Sequence, residues 1–175
     1  MAVVIEPYSR KCKTTLGKIK HAYLFEFVKY NRSQIKSSGM SLTAFQETLI
    51  YKFDVEGDFT QNSSDDQGSY FFDQTVNLKL SEVYDILDVH NFLKTDWRII
   101  VETYNNELLI FGVRNGMTAK VSNQSGASKS DFNGFSLAFT GKEEKTALLI
   151  SSFEDLGFIE IIEGQFLNYD LNFDI

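Results

Sequence analysis

Hydrophobic and polar residues alternate with a period of two along several stretches of this chain, the signature of strands with one dry and one wet face. Over residues 48–59, Leu49, Tyr51, Phe53 and Val55 fall on one side and Lys52, Asp54, Glu56 and Asp58 on the other. Over 69–80, Tyr70, Phe72, Val76, Leu78 and Leu80 alternate with Asp73, Thr75, Asn77 and Lys79. The polar run at 62–69 between them reads as the flexible connection of an extended hairpin. A further strand is expected over 21–30, followed by a polar loop as far as Ser41. The last eleven residues alternate most cleanly. Leu167, Tyr169, Leu171, Phe173 and Ile175 take every odd position, and Asn168, Asp170, Asn172 and Asp174 every even one. Such a terminal strand either closes its own sheet or adds to a neighbour's edge.

The period changes only once. Ser81 is placed to cap residues 82–94, where Val83, Ile86, Leu87 and Leu93 recur at helical spacing, so one helix of about three turns is expected. Three short segments follow, 97–104, 107–113 and 117–122, separated by Asn105-Asn106 and Asn115-Gly116. Asn and Gly tolerate the positive φ that tight turns demand, which predicts a meander. A second polar loop at 122–131 leads to Asn133-Gly134 and a strand over 135–141, with further strand segments at 147–150 and 158–162.

Composition agrees with a β fold. Aromatic residues make up 14% of the 175 positions, with 16 Phe, 8 Tyr and 1 Trp against a single Pro. Aromatic side chains favour pleated, half-buried surfaces and protein interfaces. The length suits one domain. Cys12 has no second cysteine to pair with, the first residues lack a basic-then-apolar leader, and no apolar run approaches the roughly 18 residues of a membrane span. Synthesis in a reducing cytoplasm and no membrane partner are the expectations.

Charge adds an asymmetry. The net charge of −7 argues against a general grip on nucleic-acid phosphates. Residues 1–40 nevertheless carry eight basic residues (Arg10, Lys11, Lys13, Lys18, Lys20, Lys29, Arg32 and Lys36) against Glu6 and Glu26, a balance of +6 that leaves −13 for the rest. Residues 153–175 hold Glu154, Asp155, Glu160, Glu163, Asp170 and Asp174 with no Lys or Arg. Opposite ends of this kind can pair between neighbouring subunits. They can equally be two solvated faces.

The spacings tested for chemistry do not support it. Thr140-Gly141-Lys142-Glu143 suggests a phosphate loop, but Gly134 stands too far upstream and Glu143 replaces the magnesium-binding hydroxyl. Gly134-Phe135-Ser136 is half of a nucleophile elbow, with Ala138 where the second Gly belongs. Asp54, Glu56 and Asp58 around Gly57 imitate a calcium loop, yet they alternate along a strand. Cys12, His21 and His90 are too scattered for zinc. No catalytic residue, cofactor or metal is therefore expected. Trp97 and Arg98 read either as an interface anchor or as the start of a core strand.

Four segments carry a likeness: CKTTLGKIKHAYLFEFVKY at 12–30, GSYFFDQTVNLKL at 68–80, WRIIVETYNNELLIFGVRNGM at 97–117 and SGASKSDFNGFSLAFTGKEEKTALLI at 125–150. In their order of aromatic strand, Asn-Gly turn, Ser/Gly loop and closing TGKE, they resemble a family of tail structural proteins of Bacteroidetes phages and prophages. The resemblance implies a mainly β fold, a tail-tube-like β-sandwich or barrel with one flanking α-helix and long loops. Residues 1–155 would form that domain, and 156–175, which the likeness does not cover, a strand extension within it or between subunits. It also implies a non-enzymatic virion protein of the tail or neck, a ring of six or twelve copies through which DNA passes without specific binding.

Neighbouring tail, neck or portal-proximal proteins would be its other partners. On this reading Arg10, Lys11, Lys13, Lys18, Lys20, Trp97, Arg98, Leu167, Tyr169, Leu171, Phe173 and Ile175 are inter-subunit candidates, and the loops at 60–69 and 122–134 candidate arms. Asp54, Glu56, Asp58, Asp73 and Glu102 would line a lumen that repels phosphate. The rivals are a capsid-decorating or head-fibre protein, and a monomeric β-sandwich binding module using Tyr70, Phe71 or Phe132.

Overall fold

A computed structural model describes residues 18–29, 36–38, 41–44, 49–66, 68–80, 93–124, 132, 134–153 and 160–163. They form eleven strands: β1 (Ile19–Glu26), β2 (Lys36–Ser38), β3 (Ser41–Ala44), β4 (Leu49–Asp66), β5 (Ser69–Leu80), β6 (Asp96–Thr103), β7 (Leu108–Phe111), β8 (Met117–Gln124), β9 (Gly134–Glu143), β10 (Leu148–Ile150) and β11 (Glu160–Glu163). The fold is mainly β, as the alternation requires. The expected helix and the last strand, 165–175, lie outside the described residues, apart from the helix's final two positions, which form a turn.

Six strands close on themselves. β1 pairs with β4, β4 with β5, β5 with β9, β9 with β8, β8 with β6, and β6 returns to β1, every pairing antiparallel. A sheet closed in this way is a barrel, and its inward residues form the main core. Ala22 and Leu24 of β1, Phe53 and Val55 of β4, Val76, Leu78 and Leu80 of β5, Trp97, Ile99 and Val101 of β6, and Phe135, Leu137 and Phe139 of β9 belong to one buried cluster. Phe59 and Phe111 meet across it with ring centroids 5.2 Å apart. Ile19 joins the same cluster despite its odd number. A register break between Ile19 and His21 inserts the residue that returns the side chain to the inner face.

A second branch grows from β6 through β7, β10, β3 and β2, and β11 pairs in parallel with the start of β4. The outward residues of β1 and β6 are buried against this side: Tyr23, Phe25, Ile100, Ile110, Leu148 and Ile150 share a second cluster. β1 and β6 are thus dry on both faces, which explains their near-continuous apolar runs.

Three expectations change. Residues 62–66 and 69 are not a loop. They continue the β4–β5 ladder to Asp66↔Ser69, and Gly68 closes the tip with φ 85 and an N–H donated to the Asp65 carboxylate at 3.1 Å. A polar sequence does not end a hairpin, because cross-strand backbone bonds extend the ladder whatever the side chains. The polar segment before Ser41 includes the short strand β2 at 36–38. Finally, β7 and β8 do not pair with each other. Both run antiparallel to β6, β7 against 99–102 and β8 against Asp96 and Trp97, on the edge opposite β1. They are one strand broken at 112–116, and the break moves the chain from the outer branch into the barrel. The Asn105-Asn106 turn is made as expected, with Asn106 at φ 58.

Candidate functional site

Two features emerge from this architecture: a buried polar knot at the strand break and a hairpin arm that outruns the barrel. The knot exists because a broken strand leaves backbone groups without ladder partners in a dry interior, where each orphan costs free energy. Gly112 takes φ 67 there, and a Cβ on it would lie 2.9 Å from the Trp97 carbonyl oxygen. Its N–H is donated to Gln74 Oε1 at 3.1 Å, while Gln74 Nε2 donates to the Lys145 carbonyl at 3.2 Å. Glu143 Oε1 accepts both the Arg114 and Asn115 N–H groups, at 2.9 and 2.8 Å. Arg98 Nε donates to the Val113 carbonyl at 3.0 Å and Nη2 to the Val28 carbonyl at 2.7 Å, with its guanidinium 4.3 Å from the Phe27 ring centre.

Gln74, Arg98 and Glu143 are all buried, so the knot is internal. Burial raises the Glu143 carboxyl above its ordinary range, against the lowering effect of the Asn115 and Arg114 N–H groups and then of the Arg98 and Arg114 charges. The cavity beside it, lined by Gln74, Glu143, Lys145 and Thr146 among others, has a volume of about 20 Å³. That is room for one water and no organic ligand. The arrangement satisfies backbone, and its chemistry is structural.

Gln61 and Gln74 stand opposite each other at inward positions of β4 and β5. They mark where the barrel ends. Gln61 Oε1 accepts the Ala147 N–H at 2.7 Å, so both glutamines tie connecting loops across the mouth. Beyond them the ladder continues, with Phe71 and Phe72 half-buried and the residues nearer the tip exposed. Tyr70, near the tip, is 73% exposed, and Lys142 lies 5.1 Å from the Phe71 ring centre on the other face.

Trp97 and Arg98 are 7% and 1% exposed, so they fill the core role and are not surface anchors of this subunit. Lys18 is exposed, and Lys20 lies 3.6 Å from Glu102. Arg10, Lys11, Lys13, Leu167, Tyr169, Leu171, Phe173 and Ile175 lie outside the described residues. So do most residues of the 122–134 loop, although β8 runs into it as far as Gln124.

The five lumen candidates all sit on outward positions, but they do not make one acidic face. His21 contacts Asp54, Lys79 stands opposite Glu56, Asn77 donates to Asp58 at 2.8 Å, Lys142 stands opposite Asp73, and Glu102 accepts from Tyr23 at 2.9 Å as well as facing Lys20. Tertiary pairing interleaves basic residues with carboxylates that look continuous along one strand.

Of the residues that hold the knot, Gln74 is not among those the sequence singles out, and Glu143 appears there only as the residue that spoils a phosphate loop. A signal existed for Gln74, the one polar residue among the even positions of 70–80. Glu143 likewise continues the inward odd positions Phe135, Leu137 and Phe139. Among the described residues no three His, Cys, Asp or Glu side chains gather as a metal site, and no helix is long and apolar enough to cross a membrane. Compared with known proteins, the chain matches no family model, no curated protein and no solved structure.

Proposed function

We propose that this chain is a non-enzymatic structural subunit that assembles with copies of itself into a ring or tube of a phage tail or neck. The observation that carries the reading is the β4–β5 hairpin, which leaves the barrel at Gln61 and Gln74 and holds Tyr70 out at its tip. Among the described residues Tyr70 is left exposed at the tip, and a neighbour's surface would bury it. Exposed strand edges are also an aggregation hazard that closed assembly removes. The sequence resemblance to tail proteins supplies the virion setting, with DNA in transit and adjacent tail or neck proteins as the other partners. Wild-type protein in size-exclusion chromatography with light scattering, followed by negative-stain microscopy, tests it. Rings of six or twelve copies, or polymers that grow with concentration, are expected. A monomer at every concentration overturns the reading and favours a binding module that uses the exposed Tyr70 ring.

A further inference from the structure

The strand break holds a reactive dipeptide, Asn115-Gly116. A side-chain amide loses ammonia most readily before glycine, because the missing Cβ leaves the next backbone nitrogen open to it. In that reaction the Gly116 nitrogen attacks Asn115 Cγ and gives up its proton. A new N–C bond forms, the bond from Cγ to the amide nitrogen breaks, and ammonia leaves with that proton. Water then opens the cyclic imide at either carbonyl, giving aspartate, or isoaspartate with the main chain rerouted through Cγ. Water is the only co-reactant, and Asn115 is exposed to it.

The fold opposes the attack. Asn115 Nδ2 donates to the Lys142 carbonyl at 2.7 Å, and the Asn115 N–H to Glu143 Oε1 at 2.8 Å. Both acceptors belong to β9, so the side chain and the backbone of one residue are tied to the same neighbouring strand. Gly116 is buried at φ 76 and closely surrounded. A Cβ on it would lie 2.8 Å from the Phe27 ring, and a Cβ on Gly141 would lie 2.6 Å from its carbonyl oxygen. For Cγ to close on the Gly116 nitrogen, the amide must leave Lys142 and the peptide must turn in space that Phe27 and Gly141 already fill.

We propose that Asn115-Gly116 is a latent deamidation site, held unreactive in the folded barrel by its two bonds to β9 and released when the strand break opens. The products do not fit the place they come from. An aspartate carboxylate only accepts, so it meets the Lys142 carbonyl with no proton between them. Isoaspartate adds one atom to the main chain in the turn whose N–H groups converge on Glu143. Opening of the barrel mouth therefore becomes one-way once the reaction has run. The inference stands independently of the assembly reading.

Wild-type protein held at mildly alkaline pH, native in one arm and in guanidinium chloride in the other, tests it by peptide mass spectrometry. Asn133-Gly134 is the reference in denaturant, where local sequence sets the rate and the two pairs are expected to react alike. Native Asn115 is expected to react at least about tenfold more slowly than in denaturant. Equal rates in the two arms overturn the proposal.

Two variants separate the anchors from general folding. Glu143→Ala removes one anchor, and its native-state rate at Asn115 is expected to rise at least about threefold, whereas Glu143→Gln keeps an acceptor and stays near wild type. A folded Glu143→Ala protein with an unchanged rate overturns the role given to that bond. If Glu143→Ala does not fold, the two wild-type arms still decide. Asn115→Asp, which is one of the two products, is expected to unfold at lower denaturant concentration than wild type. An unchanged midpoint overturns the one-way step.

Discussion

The inner and outer parts of the β4–β5 hairpin are built from the same two strands, yet they belong to different environments. Below Gln61 and Gln74, inward residues such as Phe53, Val55, Val76 and Leu78 are packed into the barrel core. Above them the ladder continues unbroken to Asp66↔Ser69, but Tyr70 stands in solvent. Alternation tells a residue which face of the strand it occupies. It does not say whether anything lies beneath that face. The boundary is set by two glutamines, whose side chains can satisfy loop backbone where apolar ones could not.

The contrast is sharpest in its response to truncation. Leu78→Ala, inside the barrel, is expected to cost about 2–5 kcal/mol in urea denaturation, because a fully buried side chain leaves a cavity. If the loss is below about 1 kcal/mol, the barrel interior is not the packed core described here. Next in size comes the knot at the barrel mouth. Glu143→Ala removes the acceptor of two backbone N–H groups and is expected to cost about 2–4 kcal/mol by the same measurement. Gly112→Ala should follow at about 1–3 kcal/mol, since it combines a left-handed backbone with a close carbonyl.

Glu143→Gln keeps an acceptor and removes the charge, so its effect is expected in the pH dependence. The folded-state pKa is raised above the ordinary 4.5. The folded protein therefore holds that proton more tightly than the unfolded chain. The stabilisation is fully present below the unfolded value and is lost as pH rises through the folded one. Denaturation midpoints of the wild type should show that fall from about the ordinary value upward, and those of Glu143→Gln should not. Tyr70→Ala, on the arm, is expected to change monomer stability by no more than about 0.5 kcal/mol. A larger loss would show that the arm packs within its own subunit and would erase the contrast.

Much of the fold was legible. The faces of β4 and β5, the strand at β9 and the turn at Asn106 follow from alternation and turn chemistry, which act between residues close in sequence. The knot was less so. Gln74 and Glu143 each break an apolar parity, but the reason lies at 112–116, whose unpaired N–H groups arise only once β7 and β8 have separated along β6. The acidic stripe Asp54, Glu56 and Asp58 was real as a pattern and misleading as a surface, because cross-strand register brings His21 and Lys79 beside it.

The sequence by itself determined that this chain forms strands, which residues face inward along each of them, and that its basic and acidic residues are segregated along its length. These are properties of neighbouring positions, governed by the two-residue pleat and by local backbone preference. Only the tertiary structure decided that six strands close into a barrel, that β7 and β8 are one strand in two pieces, and that Arg98 is interior. It also decided that the hairpin outruns the core. Each depends on pairing between residues far apart in the chain, where backbone hydrogen bonds are indifferent to side-chain identity and shared burial selects the partner.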